Sequence, residues 1–304
     1  MDMNTKQDRT KYIINQKNSS PQITALGTCN IDFLMKVPRF SEADDEVDIE
    51  DLHISLGGSA TNFAVGLSRA GVDVGIIARI GNDDYGEFAF SKLEKEGVKT
   101  DRLIRISKST GMAFIAVDSY GERSIYTSMG ANAYFKLLKE DIDYIKSSKI
   151  LHITGMYKEV VEEAAKHANF LSFNPGAALS AFGLDDLKKI IKKTNILFLN
   201  KKEVLTLTGE DFNEGAQNLV DMGVSLVVVT CGELGACLYT PDEIIHSQTT
   251  KTESLDTTGA GDAFAAGFIE GFIKNEEFNE CLQMGNRSAY ACLSKLGAVS
   301  IPHH

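Results

Sequence analysis

Apolar and polar positions alternate along this chain in short blocks punctuated by glycine turns. Residues 22–29 form an apolar run that predicts a first strand, leading to Asn30 and Asp32. Residues 33–37 continue in extended form up to Pro38. Gly57-Gly58 then precedes a helix pattern with Ala64, Leu67 and Ser68 on one side, ended at Gly71. Residues 72–80 read as a buried strand. A glycine turn, a helix and a strand in that order make the repeating unit of a parallel α/β sheet. A further helix is predicted over 86–97, and runs at 111–117 and 124–127 flanking Gly121 predict a hairpin. Short buried strands follow at 149–153, 170–173, 196–199 and 226–230, with a helix near 159–167. After a hairpin-like segment, Phe264, Phe268 and Phe272 recur every four residues and predict an amphipathic helix, the first of two at the end. Residues 41–50 are acidic and rich in turn formers, which predicts a solvated connection.

Length and composition narrow the class. A chain of 304 residues holds one large α/β domain or two smaller ones, and 43% hydrophobic with 24% charged content fits a globular protein. No internal repeat or long linker divides it, so one main domain over 21–304 is expected, after a flexible polar extension over 1–20. The net charge of −11 argues against a nucleic-acid or anionic-membrane binder, either of which needs a basic face. Five cysteines without a C-x-x-C pair disfavour a disulfide framework or a zinc site and point to a reducing cytoplasm. No apolar run is long enough to cross a membrane.

Candidate chemistry gathers at the predicted strand ends. Turn glycines or polar residues stand at Asn30/Asp32, Gly57/Gly58/Asn62, Asn174-Pro175-Gly176, Asn200/Glu203, Gly232/Gly235 and Gly259/Gly261/Asp262. Each has an ordinary structural explanation; Asn200 and Glu203, for example, suit a helix cap and its third-turn-position partner. Together they suit a ligand face, because open α/β sheets bind ligands at the carboxyl ends of their strands. Gly259-Ala260-Gly261-Asp262 predicts a tight turn into a helix whose free N–H groups and dipole favour an anion, with Asp262 beside it. Neither G-x-G-x-x-G nor G-x-x-x-x-G-K-[ST] describes it. Capped helix and phosphate site both remain open on this local pattern.

These motifs, in this order, resemble the ribokinase-like, PfkB-type carbohydrate kinases. Gly57-Gly58 with Asn62 resembles that family's first signature, and residues 256–268 are similar to its second. Asn200-Lys201-Lys202-Glu203 resembles its N-x-x-E motif, and Thr230-Cys231-Gly232-Glu233-Leu234-Gly235 its nucleotide loop. The resemblance runs from about Ile23 to the C-terminus. It implies a three-layer α/β sandwich, a mostly parallel sheet flanked by helices, with a small β-sheet lid from segments 33–56 and 111–128. It also implies an ATP-dependent kinase. Asp262 would be the general base, with backbone N–H groups at Gly259, Ala260, Gly261 and Asp262 forming the anion hole. Asn30, Asp32, Gly58 and Asn62 would bind the acceptor, and Asn200, Thr230, Gly232, Gly235 and Asn286 the nucleotide. Glu203 would hold Mg²⁺ through water, while Asp256 and Thr258 match a loop that in some members binds a monovalent cation such as K⁺.

The acceptor implied is a nucleoside, at its ribose 5′-hydroxyl, or a ribose-like sugar. A free-sugar kinase of ribokinase, fructokinase or ketodeoxygluconate-kinase type is the alternative, and a catalytically silent sugar or nucleotide sensor stands further off. Ser59 replaces the lysine usual in ribokinase, and Thr154-Gly155-Met156 lacks the acidic sugar contact, so strict ribose specificity is not implied. A wall meeting a nucleobase would come from residues such as Phe33, Phe114 or Met156. Lid sheets in this family often pair, which admits a homodimer through the lid.

Overall fold

The computed structural model describes residues 21–249 and 259–293. The chain runs β1 (Ile23–Gly27), β2 (Asn30–Lys36), β3 (Asp51–Gly57), α1 (Ser59–Arg69), β4 (Val74–Gly81), α2 (Asp84–Lys95) and β5 (Lys99–Ile106). It continues through β6 (Gly111–Val117), β7 (Arg123–Ser128), α3 (Lys139–Ser147), β8 (Ile150–Thr154), α4 (Lys158–Ala165), β9 (Leu171–Asn174), α5 (Gly176–Ser180) and α6 (Gly183–Ile191). The last part holds β10 (Ile196–Asn200), α7 (Lys201–Thr208), α8 (Phe212–Asp221), β11 (Leu226–Thr230), β12 (Ala236–Tyr239), β13 (Ile244–Ser247), α9 (Ala260–Ile273) and α10 (Phe278–Leu293). The expected strands and helices at 22–29, 72–80, 86–97, 149–153, 170–173, 196–199 and 226–230 are all present within a few residues.

Nine strands form one sheet in the order β13-β12-β11-β10-β9-β8-β1-β4-β5. It is parallel from β11 through β5, and β12 and β13 add an antiparallel edge. Successive residues of its strands enter opposite cores, as the two-residue period of a strand requires. Ile196, Phe198, Leu226 and Val228 pack with α1, α2, α9 and α10 on one face. Leu197, Leu199, Val227 and Val229 pack with α3, α4, α6, α7 and α8 on the other. Helix, sheet and helix therefore make three layers, and both strand faces are apolar because both are covered.

The chain leaves β1 first toward β4 and β5, then returns to β8 on its other side. The order of connection thus reverses between β1 and β8, a switch point where the loops diverge and leave a crevice. The carboxyl ends of β1, β8, β9, β10 and β11 place Thr28, Thr154, Asn174, Asn200 and Thr230 along that crevice edge.

A second sheet of four strands, β3-β2-β6-β7, rises from the crevice. β2 pairs antiparallel with β3 and parallel with β6, and β6 with β7 closes the expected hairpin. In-register pairing of Asp32 with Ala113 and of Leu34 with Ile115 puts these four on one face. Phe33 and Phe114 pair on the opposite face.

One reading from the sequence changes, and one strand went unread. The helix α9 is not amphipathic: every residue from Asp262 to Ile269 is buried, because α1 and α10 cover what the sheet does not. β5 has no apolar run to betray it. Lys99, Asp101, Arg102 and Arg105 occupy half of its eight positions, which suits an edge strand facing water.

Candidate active site

The crevice is organised where α1 and α9 begin side by side. Gly259 precedes α9 with φ of 76°, the left-handed conformation that glycine adopts without strain. The first helical bond runs from Ala263 N–H to Gly259 O at 2.8 Å. The N–H groups of Ala260, Gly261 and Asp262 therefore have no acceptor within the helix, and they sit at the positive end of a 14-residue dipole. Gly261 is exposed, with open space where a side chain would project.

Asp262 is 7% exposed and reaches back to α1. Asn62 Nδ2 donates to its Oδ2 at 3.1 Å, and Ser59 hydrogen-bonds to it as well. Burial pushes the Asp262 carboxyl up to about 7, the bonds from Asn62 and Ser59 oppose the rise, and the charges of Asp32 and Glu203 add to it. A carboxyl poised near neutrality can take up a proton at the pH of a cell, unlike an ordinary aspartate.

Asp32 is 6% exposed and lies against Gly57; a Cβ there would fall 2.0 Å from a carboxylate oxygen. That contact is why glycine stands at the end of β3. Asn30 is held by a side chain the sequence did not single out. Asn132, fully buried, donates from Nδ2 to Asn30 Oδ1 at 2.8 Å and accepts from Cys29 N–H at 3.2 Å. Ser59, Thr154, Gly155, Asn174 and Gly176 join Asn200, Glu203, Thr230, Gly261 and Asp262 around a cleft of about 230 Å³. Asn132 carries no motif of its own and Ser59 entered the sequence reading only as a departure from the first signature; the folded chain sets Ser59 against Asp262 and Asn132 against Asn30.

Asn200 and Glu203 form a reciprocal cap on α7. Asn200 Oδ1 accepts from Glu203 N–H and Glu203 Oε2 accepts from Asn200 N–H, each at 2.9 Å. Burial holds the Glu203 carboxyl above its usual range, against both Asn200 bonds. Among the described residues no group of three or more His, Cys, Asp or Glu is placed to hold a metal ion. Glu203 alone suits an ion that takes most of its ligands from phosphates and water, as Mg²⁺ does.

Thr230 closes the cleft, and after it Gly232 opens a short 3₁₀ turn that Gly235 ends. A Cβ on Gly235 would lie 2.1 Å from Ser247 O, so β13 demands that glycine. A second cleft of about 480 Å³ opens beside β13 and α10, lined by His246, Gln248, Asn279, Asn286, Arg287 and Tyr290 among others. Asn286 Nδ2 donates to Ser247 O and to Gln248 O, both at 3.3 Å. Of the residues named for a nucleotide, Asn200 and Thr230 line the first cleft and Asn286 the second, while Gly232 and Gly235 line neither. Asp256 and Thr258 lie outside the described residues, as does the 1–20 extension.

The three side chains considered for a nucleobase wall point elsewhere. Phe33 stacks on Phe114 with ring centres 4.9 Å apart and meets the edge of Tyr85, all on the face away from Asp32. Met156 is buried in the core layer of α3–α8. Alternation along the strand reverses the expectation: the apolar neighbours on Asp32's own face are Leu34, Ala113 and Ile115, which form a small buried cluster.

Comparison with known proteins agrees with this geometry. The chain matches the description "pfkB family carbohydrate kinase" over residues 20–304. It is 34% identical over 245 residues to an uncharacterized sugar kinase of Archaeoglobus fulgidus, covering 77% of this chain and 96% of that protein. An ATP-dependent ribose-1-phosphate kinase of Halopiger xanaduensis is 30% identical, covering 92% and 95%. Among solved structures, Thermotoga maritima ribokinase superposes with a TM-score of 0.84 at 29% identity, covering 93% and 96%. Methanocaldococcus jannaschii nucleoside kinase does so with 0.81 at 25% identity and the same coverage.

Proposed function

The chain belongs to the pfkB family of carbohydrate and nucleoside kinases, and on that premise we propose that it phosphorylates the 5′-hydroxyl of a nucleoside from ATP. The observation that carries the chemistry is the pairing of a buried, near-neutral Asp262 with the open N-terminus of α9. Asp262 takes the proton of the acceptor hydroxyl as its oxygen attacks the γ-phosphorus; the bond to the β-phosphate oxygen breaks and ADP leaves. The N–H groups of Ala260, Gly261 and Asp262 meet the charge spreading over the transferring group, the largest contribution such a reaction asks of a protein. When Mg²⁺ is bound, it neutralises phosphate charge. Glu203 would hold it through water.

Asp32 accepts hydrogen bonds from vicinal hydroxyls of the acceptor, with Asn30 beside it. Leu34, Ala113 and Ile115, on the same sheet face, favour a nucleoside, whose base offers an apolar surface that a free sugar lacks. Thr230 and the 3₁₀ turn border the phosphates, and the second cleft with Asn286 accommodates the adenine side. The four-stranded sheet serves as a lid that excludes water, which would otherwise take the phosphoryl group. Its outward face exposes Leu52, Ile54 and Tyr126, and we read it as a homodimer surface.

A ribose-like sugar is the second reading. The polar pair Asn30 and Asp32 and the similarity to a ribokinase favour it. One assay separates them. Mg-ATP with a panel of nucleosides, ribose, ribose 1-phosphate and ketoses should give a phosphorylated nucleoside, seen by mass, at the highest kcat/KM. Replacing Asp262 by Asn should lower kcat by about 10²–10⁴-fold while ATP still binds. Wild-type turnover in that variant would sink the base assignment, and a wild type silent on every acceptor would favour a sensor.

A further inference from the structure

Two of the five cysteines meet at the loop that follows β11. β11 and β12 pair antiparallel, with Val229 opposite Cys237 and Thr230 opposite Ala236. Cys231 N–H then donates to Gly235 O at 2.7 Å, so the ladder runs one step past the strands. Val229, Cys231 and Cys237 thereby share one face, and all three pack into the core layer of α7 and α8. Cys231 is half-buried and Cys237 is 8% exposed, and the two thiols hydrogen-bond to each other. Val229 O is a second acceptor for the Cys231 S–H, at 3.6 Å. Cys29, Cys281 and Cys292 are buried, so Cys231 is the cysteine open to solvent.

The bond from Cys231 holds the Cys237 thiol below its usual range, to about 6; burial opposes this, and the charges of His246 and Lys201 add to it. The proton held between the sulfurs raises the Cys231 thiol in turn. A thiolate beside a second sulfur and cationic side chains is the setting in which cysteines react, where an isolated buried thiol is inert.

We propose that Cys231 and Cys237 form a reversible modification site, a dithiol that hydrogen peroxide converts to an internal disulfide, and that the bridge weakens donor binding. The bridge itself is independent of the kinase reading above; its effect on the donor rests on that reading. The thiolate attacks one peroxide oxygen, the O–O bond breaks, and the other oxygen leaves as hydroxide, which solvent protonates to water. The sulfur now carries a sulfenic acid. The second thiol attacks that sulfur, the S–S bond forms, and the S–O bond breaks. Hydroxide leaves and takes the thiol proton as water. The two sulfurs together lose two electrons, and the peroxide gains them. A reducing dithiol reverses the step by thiol–disulfide exchange.

The loop geometry gives the bridge its consequence. Cys237 cannot move easily, because β12 is paired on both sides, with β11 and β13. Gly235 is held as well: its φ is 88°, and a Cβ there would lie 2.1 Å from Ser247 O. Cys231 and Cys237 stand diagonally across the ladder. Diagonal partners in a regular ladder lie about 7–8 Å apart, beyond the roughly 4.4–6.8 Å between the Cα atoms of a relaxed disulfide. Cys231 is therefore the end that shifts, and it draws with it Thr230 and the 3₁₀ turn Gly232–Leu234, which border the phosphates in the reading above.

The test treats the full chain with hydrogen peroxide, maps disulfides by mass after free thiols are blocked, and measures the ATP Kd by calorimetry before and after. The wild type should lose two hydrogens, with the bridge mapped to Cys231 and Cys237, and its ATP Kd should rise about tenfold. Dithiothreitol should restore both. Cys237→Ser removes a sulfur of β12 and no group named for ATP, so it should bind ATP like the reduced wild type, with or without peroxide. Mapping on the wild type decides the site whether or not that variant folds. Sulfinic acid on Cys231 with no bridge overturns the proposal, and so does a bridge through any other cysteine. A mapped bridge with an unchanged ATP Kd overturns the coupling to the donor. A reduced chain that binds no ATP removes the kinase reading and the donor effect together, while the mapped bridge is read apart from both.

Discussion

At the scale of single residues, the burial that raises the Asp262 carboxyl also works against the fold. Its carboxyl is raised to about 7, so between about pH 4 and pH 7 the folded chain keeps a proton that the unfolded chain has lost. Stability contributed by this group therefore falls as pH rises through that window and stays lower above it. Replacing Asp262 by Asn removes the penalty. The variant should melt several degrees above wild type at pH 8, and the difference should vanish near pH 4. Equal melting temperatures at pH 8 would contradict the burial of an ionising group. The same residue was legible in the sequence as the acid following two glycines. Its proton affinity was not, because that depends on Asn62, Ser59, Asp32 and Glu203, which arrive from three other elements.

Among the elements, α7 carries two roles that substitutions can separate. Asn200 and Glu203 cap the helix reciprocally, and that geometry exists with no ligand bound. Asn200→Ala should cost about 1 kcal/mol in denaturant unfolding. Glu203→Gln preserves a capping partner, since Gln serves in that position too, and should leave unfolding nearly unchanged. If Glu203 also holds Mg²⁺, that variant should need a higher magnesium concentration for half-maximal rate. An unchanged requirement would leave Glu203 a cap alone. Sequence spacing revealed the pair but gave both meanings equally, because a capping box and an N-x-x-E ligand motif have the same residues at the same interval. Elements defined by apolar runs were equally readable, as the buried strands β8 to β11 attest. β5 was not, since an edge strand needs only one covered face and here is written in charged residues.

Over the whole molecule, the two sheets divide the labour. The nine-stranded sheet presents its carboxyl ends at the β1/β8 switch point, and the four-stranded sheet stands beside it with Asp32 on one face and exposed apolar residues on the other. If the outward face pairs two copies, sedimentation should show a dimer, and Ile54→Glu with Tyr126→Glu should return it to monomer. A wild type that sediments as a monomer at micromolar concentration would sink that reading. Phe33 marks the limit of reasoning without the fold at this scale. Its type and place suggested a base wall, yet parity along β2 turns it to the face away from Asp32, against Phe114 and Tyr85.

The sequence by itself determined the layered α/β class, most strands, the hairpin, and the glycine-flanked aspartate with its family resemblance. These are local: each depends on periodicity, turn chemistry or spacing within a few residues. The tertiary structure alone decided which side chains converge. Asn62 meets Asp262 across 200 positions, Asn132 holds Asn30 across 102, and a one-residue shift in a strand sends a side chain to the opposite face. Contacts at such separations are products of sheet order and register, and no local pattern encodes them.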